Sequence, residues 1–157
     1  VPFTNYHGDA PILWPSENYC GGNTGALSGL DIRMYADKAS ADSAQAKIGC
    51  RTVSAVRFGN PAGISAFPGT TFGVHGGAIQ AAMDEITAIC CRCWVAPSCT
   101  TRKIVHQIPR PVYQFQTYKA VCEIEEIKND GALVCVKAKL LDLTGEAVCI
   151  SRSEMLD

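Results

Sequence analysis

From Ala78 onward the apolar positions fall on a helical stripe. Ile79, Ala82/Met83, Ile86, Ile89/Cys90 and Cys93 follow i, i+3/4, i+7, i+10/11, i+14, which predicts a helix of about four turns over Ala78 to Cys93. Its opposite side carries Gln80, Asp84 and Thr87. Strand-like runs flank it: Leu30 to Tyr35 and Cys50 to Phe58 before, then Thr101 to Ile108, Gln116 to Ile127, Ala132 to Leu143 and Glu146 to Ser153 after Pro97. Asn129-Asp130-Gly131 and Thr144-Gly145 are antiparallel hairpin signals. The order strand, strand, long helix, then four strands on short connections predicts an α+β architecture with antiparallel neighbours. One helix satisfies one face of such a sheet only if the sheet curls around it. The other face or an edge then needs a partner chain, so a homo-oligomer is expected.

The remaining segments have no sustained period. Residues 1 to 28, rich in Pro, Gly, Asn and Ser, read as an irregular N-terminal arm with room for a short helix near Ile12 to Cys20. Residues 29 to 157 then form a single domain. Asp37 to Lys47 is a small polar segment that reads equally as loop or as a turn of helix, and Asn60 to Gly77, with Pro61, Pro68 and several glycines, reads as a loop feeding the helix.

A length of 157 residues with 47% hydrophobic and 18% charged residues fits one globular domain and excludes a disordered chain. The net charge of −1 gives no uniform positive field for nucleic acid and no polybasic run for a membrane surface. No apolar stretch reaches the roughly 20 residues of a membrane span. Nine cysteines change the picture less than their number suggests. They are odd in number and lie in periodic apolar segments, and the one CxxC spacing, Cys90 to Cys93, falls on the predicted helix end, so they read as reduced, buried small hydrophobes rather than a disulfide framework. A zinc site would have to add Cys99 or His106 to Cys90, Cys91 and Cys93, without the second close ligand pair that structural zinc usually shows, so no metal is expected. Reduced thiols point to an intracellular setting, cytoplasmic or mitochondrial. The start at Val1 leaves an upstream targeting segment open.

Candidate chemistry concentrates between Gly73 and Glu85, in the string GVHGGAIQAAMDE. A glycine pair, Gly76-Gly77, at the start of a long helix serves either close packing or an oxyanion site, because first-turn N–H groups have no intrahelical acceptor and carry the positive end of the macrodipole. Asp84 lies two turns on, roughly 12 Å from the Gly76 amide at about 1.5 Å per residue, too far for both to act on one carbonyl within one chain. Two chains with antiparallel helices would bring each Asp84 to the other's glycine turn. The plain alternatives are a solvated carboxylate or a partner for Arg92, and Glu85 competes for any catalytic role. His75 either orients a carbonyl or caps the loop, and Thr101 either bonds the carboxylate or a water or is an ordinary strand residue. There is no GxSxG, GxGxxG, Walker A or HExxH string, and no Ser is marked as partner for His7, His75 or His106.

His75-Gly76-Gly77-Ala78-Ile79, Met83-Asp84-Glu85, a Thr-initiated strand leading to Arg110-Pro111, a long strand and the Asp142-Leu143-Thr144-Gly145-Glu146 hairpin together resemble the hotdog-fold acyl-CoA thioesterases of the phenylacetate-degradation (PaaI-like) type. Cys20-Gly21-Gly22-Asn23 and Ser28-Gly29-Leu30 resemble the entry to the same domain, and the likeness runs over residues 18 to 153. The resemblance implies a curved antiparallel sheet wrapped around one long central helix, paired as a dimer or a dimer of dimers. It implies that the Gly76 N–H, with Gly77 beside it and His75 assisting, polarises the thioester carbonyl. Asp84 of the neighbouring subunit would attack or activate water, and Thr101, or Thr100 one residue earlier, would position it. The substrate would be acyl-CoA, released as free acid and CoA, with no separate cofactor. Arg110, Arg102 and Lys103 are candidates for the CoA phosphates. The single upstream Cys and the Ala-rich stretch from Asp37 to Lys47 depart from the pattern and bear on the acyl pocket. Rival readings are an acyl-CoA-binding hotdog module that does not cleave, and a hotdog hydratase or dehydratase using His75 and Glu85.

Overall fold

The predicted helix is present and starts earlier than the stripe suggests. In the computed structural model, which describes residues 30–36, 48–59, 63–65 and 73–157, helix α1 spans Gly76–Trp94 over 19 residues. The glycine pair therefore forms the first helical turn rather than the end of a loop. Before α1 come β1 (Leu30–Ala36) and β2 (Arg51–Phe58), and after it β5 (Thr100–Gln107), β6 (Thr117–Lys128), β7 (Leu133–Leu141) and β8 (Ala147–Leu156). Between β2 and α1, where the sequence predicts only loop, β3 (Gly63–Ser65) and β4 (Gly73–Val74) pair as a small antiparallel ribbon. The N-terminal arm, the helix near Ile12 to Cys20, the Cys20 motif and Asp37 to Lys47 lie outside the described residues.

Among the described residues the main sheet has six strands in the order β1-β2-β6-β7-β8-β5, every neighbouring pair antiparallel. The hairpin signals act as predicted. At the β7–β8 turn Asp142 Oδ1 accepts from the Thr144 N–H at 2.8 Å, the Thr144 hydroxyl at 2.6 Å and the Glu146 N–H at 3.0 Å. Gly145 there has φ of +84°, open to a residue without Cβ. Asn129, Asp130 and Gly131 all carry positive φ in a short 3₁₀ turn between β6 and β7.

Helix α1 covers the inner face of this sheet with Ile79, Ala82, Met83, Ile86, Ile89, Cys90 and Cys91, against Phe58, Ala120, Cys122, Ile124, Val136, Leu140 and Met155 from the strands. Complete burial of a side chain such as Ile86 is worth about 1.5–3 kcal/mol. Small residues let helix and sheet approach, and the described cysteines are part of that economy of volume. Cys50, Cys90, Cys91, Cys99, Cys122, Cys135 and Cys149 are buried free thiols, and Cys93 is half-buried. Among the described residues no helix is long and apolar enough to cross a membrane.

One position departs from the helical stripe. Thr87, expected on the polar side with Gln80 and Asp84, is fully buried. Its hydroxyl makes burial possible: Oγ1 reaches the Met83 and Asp84 carbonyls at 2.9 and 3.0 Å and lies 2.9 Å from Ser153 Oγ on β8. A buried hydroxyl left unpartnered costs about 1–3 kcal/mol. Thr87→Val should therefore lower the unfolding free energy by about 1–3 kcal/mol by stranding the Ser153 hydroxyl. Adding Ser153→Ala should cost less than the sum of the two single changes. Chemical denaturation of the four proteins in the cycle checks this, and strict additivity would contradict the pairing.

Candidate active site

The start of α1 is capped by its own preceding side chain. His75 takes extended backbone (φ −63°, ψ 137°), and its Nδ1 accepts from the Gly77 N–H at 3.1 Å. Accepting there requires Nδ1 to be the unprotonated nitrogen. The Ala78 and Ile79 amides both turn to the His75 carbonyl, at 2.9 and 3.2 Å. Among the described residues the Gly76 N–H has no acceptor. So of the two glycine amides, Gly77 is engaged within the chain and Gly76 is the open donor. The glycines also differ sterically. A Cβ on Gly77 would stand 3.1 Å from His75 Nδ1 and disturb the cap, whereas a Cβ on Gly76 would meet Ile108 Cδ1 at an ordinary 4.0 Å.

Two turns along, Asp84 is half-buried and accepts a 2.7 Å hydrogen bond from Thr101 Oγ1 onto Oδ1. Oδ2 has no partner among the described residues. A β-bulge on β5 makes this contact. Thr101 pairs with Met155 but Lys103 with Glu154, leaving Arg102 as the extra residue. Arg102 and Lys103 consequently both face outward, while Thr101, Ile104 and His106 are the less exposed positions that face the helix. Without the bulge, strict alternation back from His106 would turn Arg102 inward and Thr101 out. Thr100, the rival to Thr101, is exposed.

The neighbouring carboxylate behaves differently. Glu85 is held above the ordinary carboxylate range, first by burial and then by the charge of Asp84, with Arg92 opposing. Arg92 thus faces Glu85 electrostatically and also donates to the Cys99 carbonyl at 3.4 Å. Asp84, which the sequence offered as an Arg92 partner, is instead bonded to Thr101.

The candidate phosphate contacts are spread out. Arg110 pairs with Glu146 across the strand ends, Arg102 is exposed at the bulge, and Lys103 lines an outer-face cavity of about 360 Å³ with Val105, Gln107, Ile150, Arg152 and Glu154. Among the described residues no group of three or more His, Cys, Asp or Glu side chains is arranged to hold a metal ion. One polar side chain on the inner face was considered in the sequence only as a triad partner or zinc ligand: His106, whose Nδ1 lies 2.8 Å from Ser151 Oγ. The adjacent charges Arg102-Lys103 are the sequence signal that breaks strand alternation and would have placed His106 and Thr101 on one face.

No protein-family model matches the chain, and no curated protein matches it. Solved structures do. A thioesterase superfamily protein superposes with a TM-score of 0.62 at 14% identity, covering 81% of this chain and 54% of that protein, so the chain spans about half its length. The E. coli PaaI protein from the phenylacetic acid degradation operon gives a TM-score of 0.56 at 12% identity, over 79% of this chain and 82% of that one. A hypothetical thioesterase from Streptococcus pneumoniae, solved with coenzyme A, gives 0.58 at 12% identity, over 78% and 84%. At such identities the likeness is one of fold. With one long helix packed in the curve of a six-stranded antiparallel sheet, the chain has the hotdog fold of these thioesterases.

Proposed function

We propose that this chain is an acyl-CoA thioesterase of the PaaI-like type, hydrolysing acyl-CoA to a free acid and CoA. The observation that carries the reading is the Thr101–Asp84 hydrogen bond at 2.7 Å, which fixes one carboxylate oxygen and leaves the other open, on a helix whose first amide is also open. A protein that only bound acyl-CoA would have no use for a carboxylate oriented in this way. The coenzyme A held by the pneumococcal structural neighbour fits the same substrate class.

In this reading the Gly76 N–H, at the positive end of the α1 dipole, donates to the thioester oxygen and stabilises the negative charge that develops as the carbonyl is attacked. His75 keeps that corner in shape by capping Gly77. Oδ2 of Asp84 either attacks the carbonyl carbon, giving a mixed anhydride that water then opens, or removes a proton from the attacking water. In both routes the C–S bond breaks, the thiolate leaves on CoA and takes up a proton, and water supplies the acid oxygen.

The distance along α1 requires two chains. Among the described residues β5 pairs only with β8, so it is a sheet edge. Thr101 on that edge bonds Asp84, and the Ile108 side chain just past it lies near the Gly76 corner, 4.0 Å from where a Cβ on Gly76 would stand. Antiparallel pairing of two β5 edges lays two helices side by side in opposite directions, with each Asp84 near the partner's glycine turn. This supports a homodimer as the smallest active unit, with a dimer of dimers built from it.

Two substitutions test the reading by thiol release from a panel of CoA esters. Asp84→Asn should lower turnover by about a hundredfold or more, the range for loss of a general base, with fold and assembly retained. Full turnover would remove Asp84 from the chemistry. Gly76→Pro deletes the open N–H at the first helical position, where proline is accepted, and the extended ψ of His75 suits a following proline. It should leave the melting temperature close to wild type and lower kcat by about 10²–10³-fold. Unchanged kcat would mean that another donor holds the oxyanion.

A further inference from the structure

The face of the sheet turned away from α1 is rich in charge, and its charges are matched in one region and unmatched in another. Over the middle of that face Arg51 and Lys137 share Glu123 at 2.7 and 2.9 Å, and Arg152 holds Glu125 at 2.7 Å. Toward the β1 edge the pattern changes. Strand register sets Ala55 of β2 between Arg33 of β1 and Lys119 of β6, with neighbouring Cβ atoms about 4.5–5.5 Å apart, and alternation along β2 puts Arg57 next on the same face. Three cations therefore surround one methyl group.

These cations lack the partners their counterparts have. Arg57 stands opposite Asp31 in register, yet Asp31 makes its ion pair with Arg33, at 3.7 Å and with the Arg33 side chain 60% exposed. So long and open a contact contributes little. Lys119 has no ion pair among the described residues, and Arg57 has neither an ion pair nor a hydrogen bond. The Arg57 Nε is nonetheless buried. A desolvated donor without an acceptor is costly, and more so on a charged group. Because Ala55 is small, a cavity of about 240 Å³ opens here, lined by Asp31, Arg33, Ala55, Arg57 and Thr117. Pockets that enclose a whole small ligand run to about 300–1,000 Å³, so this one suits a head group.

We propose that this cavity binds a phosphate group, gripped by Arg57 with Arg33 and Lys119. Three positive charges against the single acid Asp31 suit a phosphate dianion. Side-on recognition of a phosphate by arginine uses Nε together with a terminal nitrogen, so rotation of the Arg57 guanidinium toward the cavity gives the orphaned Nε its acceptor. The Thr117 hydroxyl, cross-strand from Arg57, adds a neutral donor at the rim. The site lies on the opposite face of the sheet from Asp84 and at the other end of the strand order from β5. Arg102, Lys103 and Arg110 take no part in it, and it does not depend on the thioesterase reading.

NMR of the arginine Nε–H groups and calorimetry test the site with inorganic phosphate, against chloride at matched ionic strength to remove general screening. Phosphate should shift the Arg57 Nε–H resonance saturably, and chloride should not. Arg57→Gln should weaken phosphate binding at least about tenfold, as expected for loss of a charge-assisted bidentate contact. Ala55→Glu, which sets a carboxylate between Arg33 and Lys119, should abolish binding while keeping or raising the melting temperature. Arg152→Gln removes a cation already paired with Glu125 and should bind phosphate within about twofold of wild type. No saturable shift, or equal weakening by Arg57→Gln and Arg152→Gln, would overturn the proposal. Titration with CoA and with dephospho-CoA, which lacks the 3′-phosphate, separates the sources. A response to CoA alone assigns that phosphate, and a response to neither, with inorganic phosphate bound, assigns a separate phosphate-bearing molecule. A protein that cleaves CoA esters but gives no phosphate response loses this site and keeps the thioesterase reading.

Discussion

An α-helix rises about 1.5 Å per residue, and that rise separates the Gly76 amide from Asp84 by about 12 Å, a span no rotamer can close. The helix is fixed at both ends, by the His75 cap and by the Val95 N–H returning to the Cys91 carbonyl at 2.9 Å, and it is buried along one side against the sheet. An open donor and an oriented carboxylate therefore sit on one rigid rod at a separation unsuited to a single carbonyl. The hotdog topology supplies a resolution. It leaves β5 at the edge of the sheet, alongside both groups, so that pairing through that edge exchanges them between chains. Assembly and chemistry are then one requirement in the proposed enzyme.

Local irregularities refine what the rod presents. The bulge at Arg102 brings Thr101 onto Asp84 and sends two adjacent cations outward. Regular pleating would have aimed a guanidinium into the helix packing, at the cost of burying a charge without a partner. Farther along α1, the Thr87–Ser153 pair fastens helix to sheet through hydroxyls where an all-apolar contact would slide more easily. Directional bonds of this kind fix the rotation of the helix, and with it the direction in which Asp84 points.

Much of this was legible in the sequence because periodicity reports burial. The stripe from Ile79 to Cys93 marked the helix, and the Asn129-Asp130-Gly131 and Asp142-to-Glu146 turns marked two hairpins through residues that tolerate positive φ or supply side-chain acceptors. The string from His75 to Asp84 drew attention to the residues that the fold sets at the helix start and two turns beyond it. What escaped depends on tertiary pairing. Thr87 looked solvent-facing because its partner Ser153 lies 66 residues away in sequence. The β3–β4 ribbon is too short to carry a period, and the inward turn of Thr101 and His106 follows from a bulge that only the adjacent charges Arg102-Lys103 signal in the sequence. The Gly76 N–H was named as the donor through the resemblance, while the physical reason that Gly77 is engaged instead, the reach of one imidazole nitrogen, came only with the structure.

Complementation between two inactive subunits tests the shared site most directly. Asp84→Asn chains and Gly76→Pro chains are unfolded together, refolded at equal concentration and assayed for CoA release. If each carbonyl is gripped by one chain and attacked from the other, half the dimers are mixed and each mixed dimer holds one intact site, so activity should return to about one quarter of wild type. If both groups serve a carbonyl within their own chain, no mixed dimer contains an intact site, and the mixture will stay as inactive as its parents.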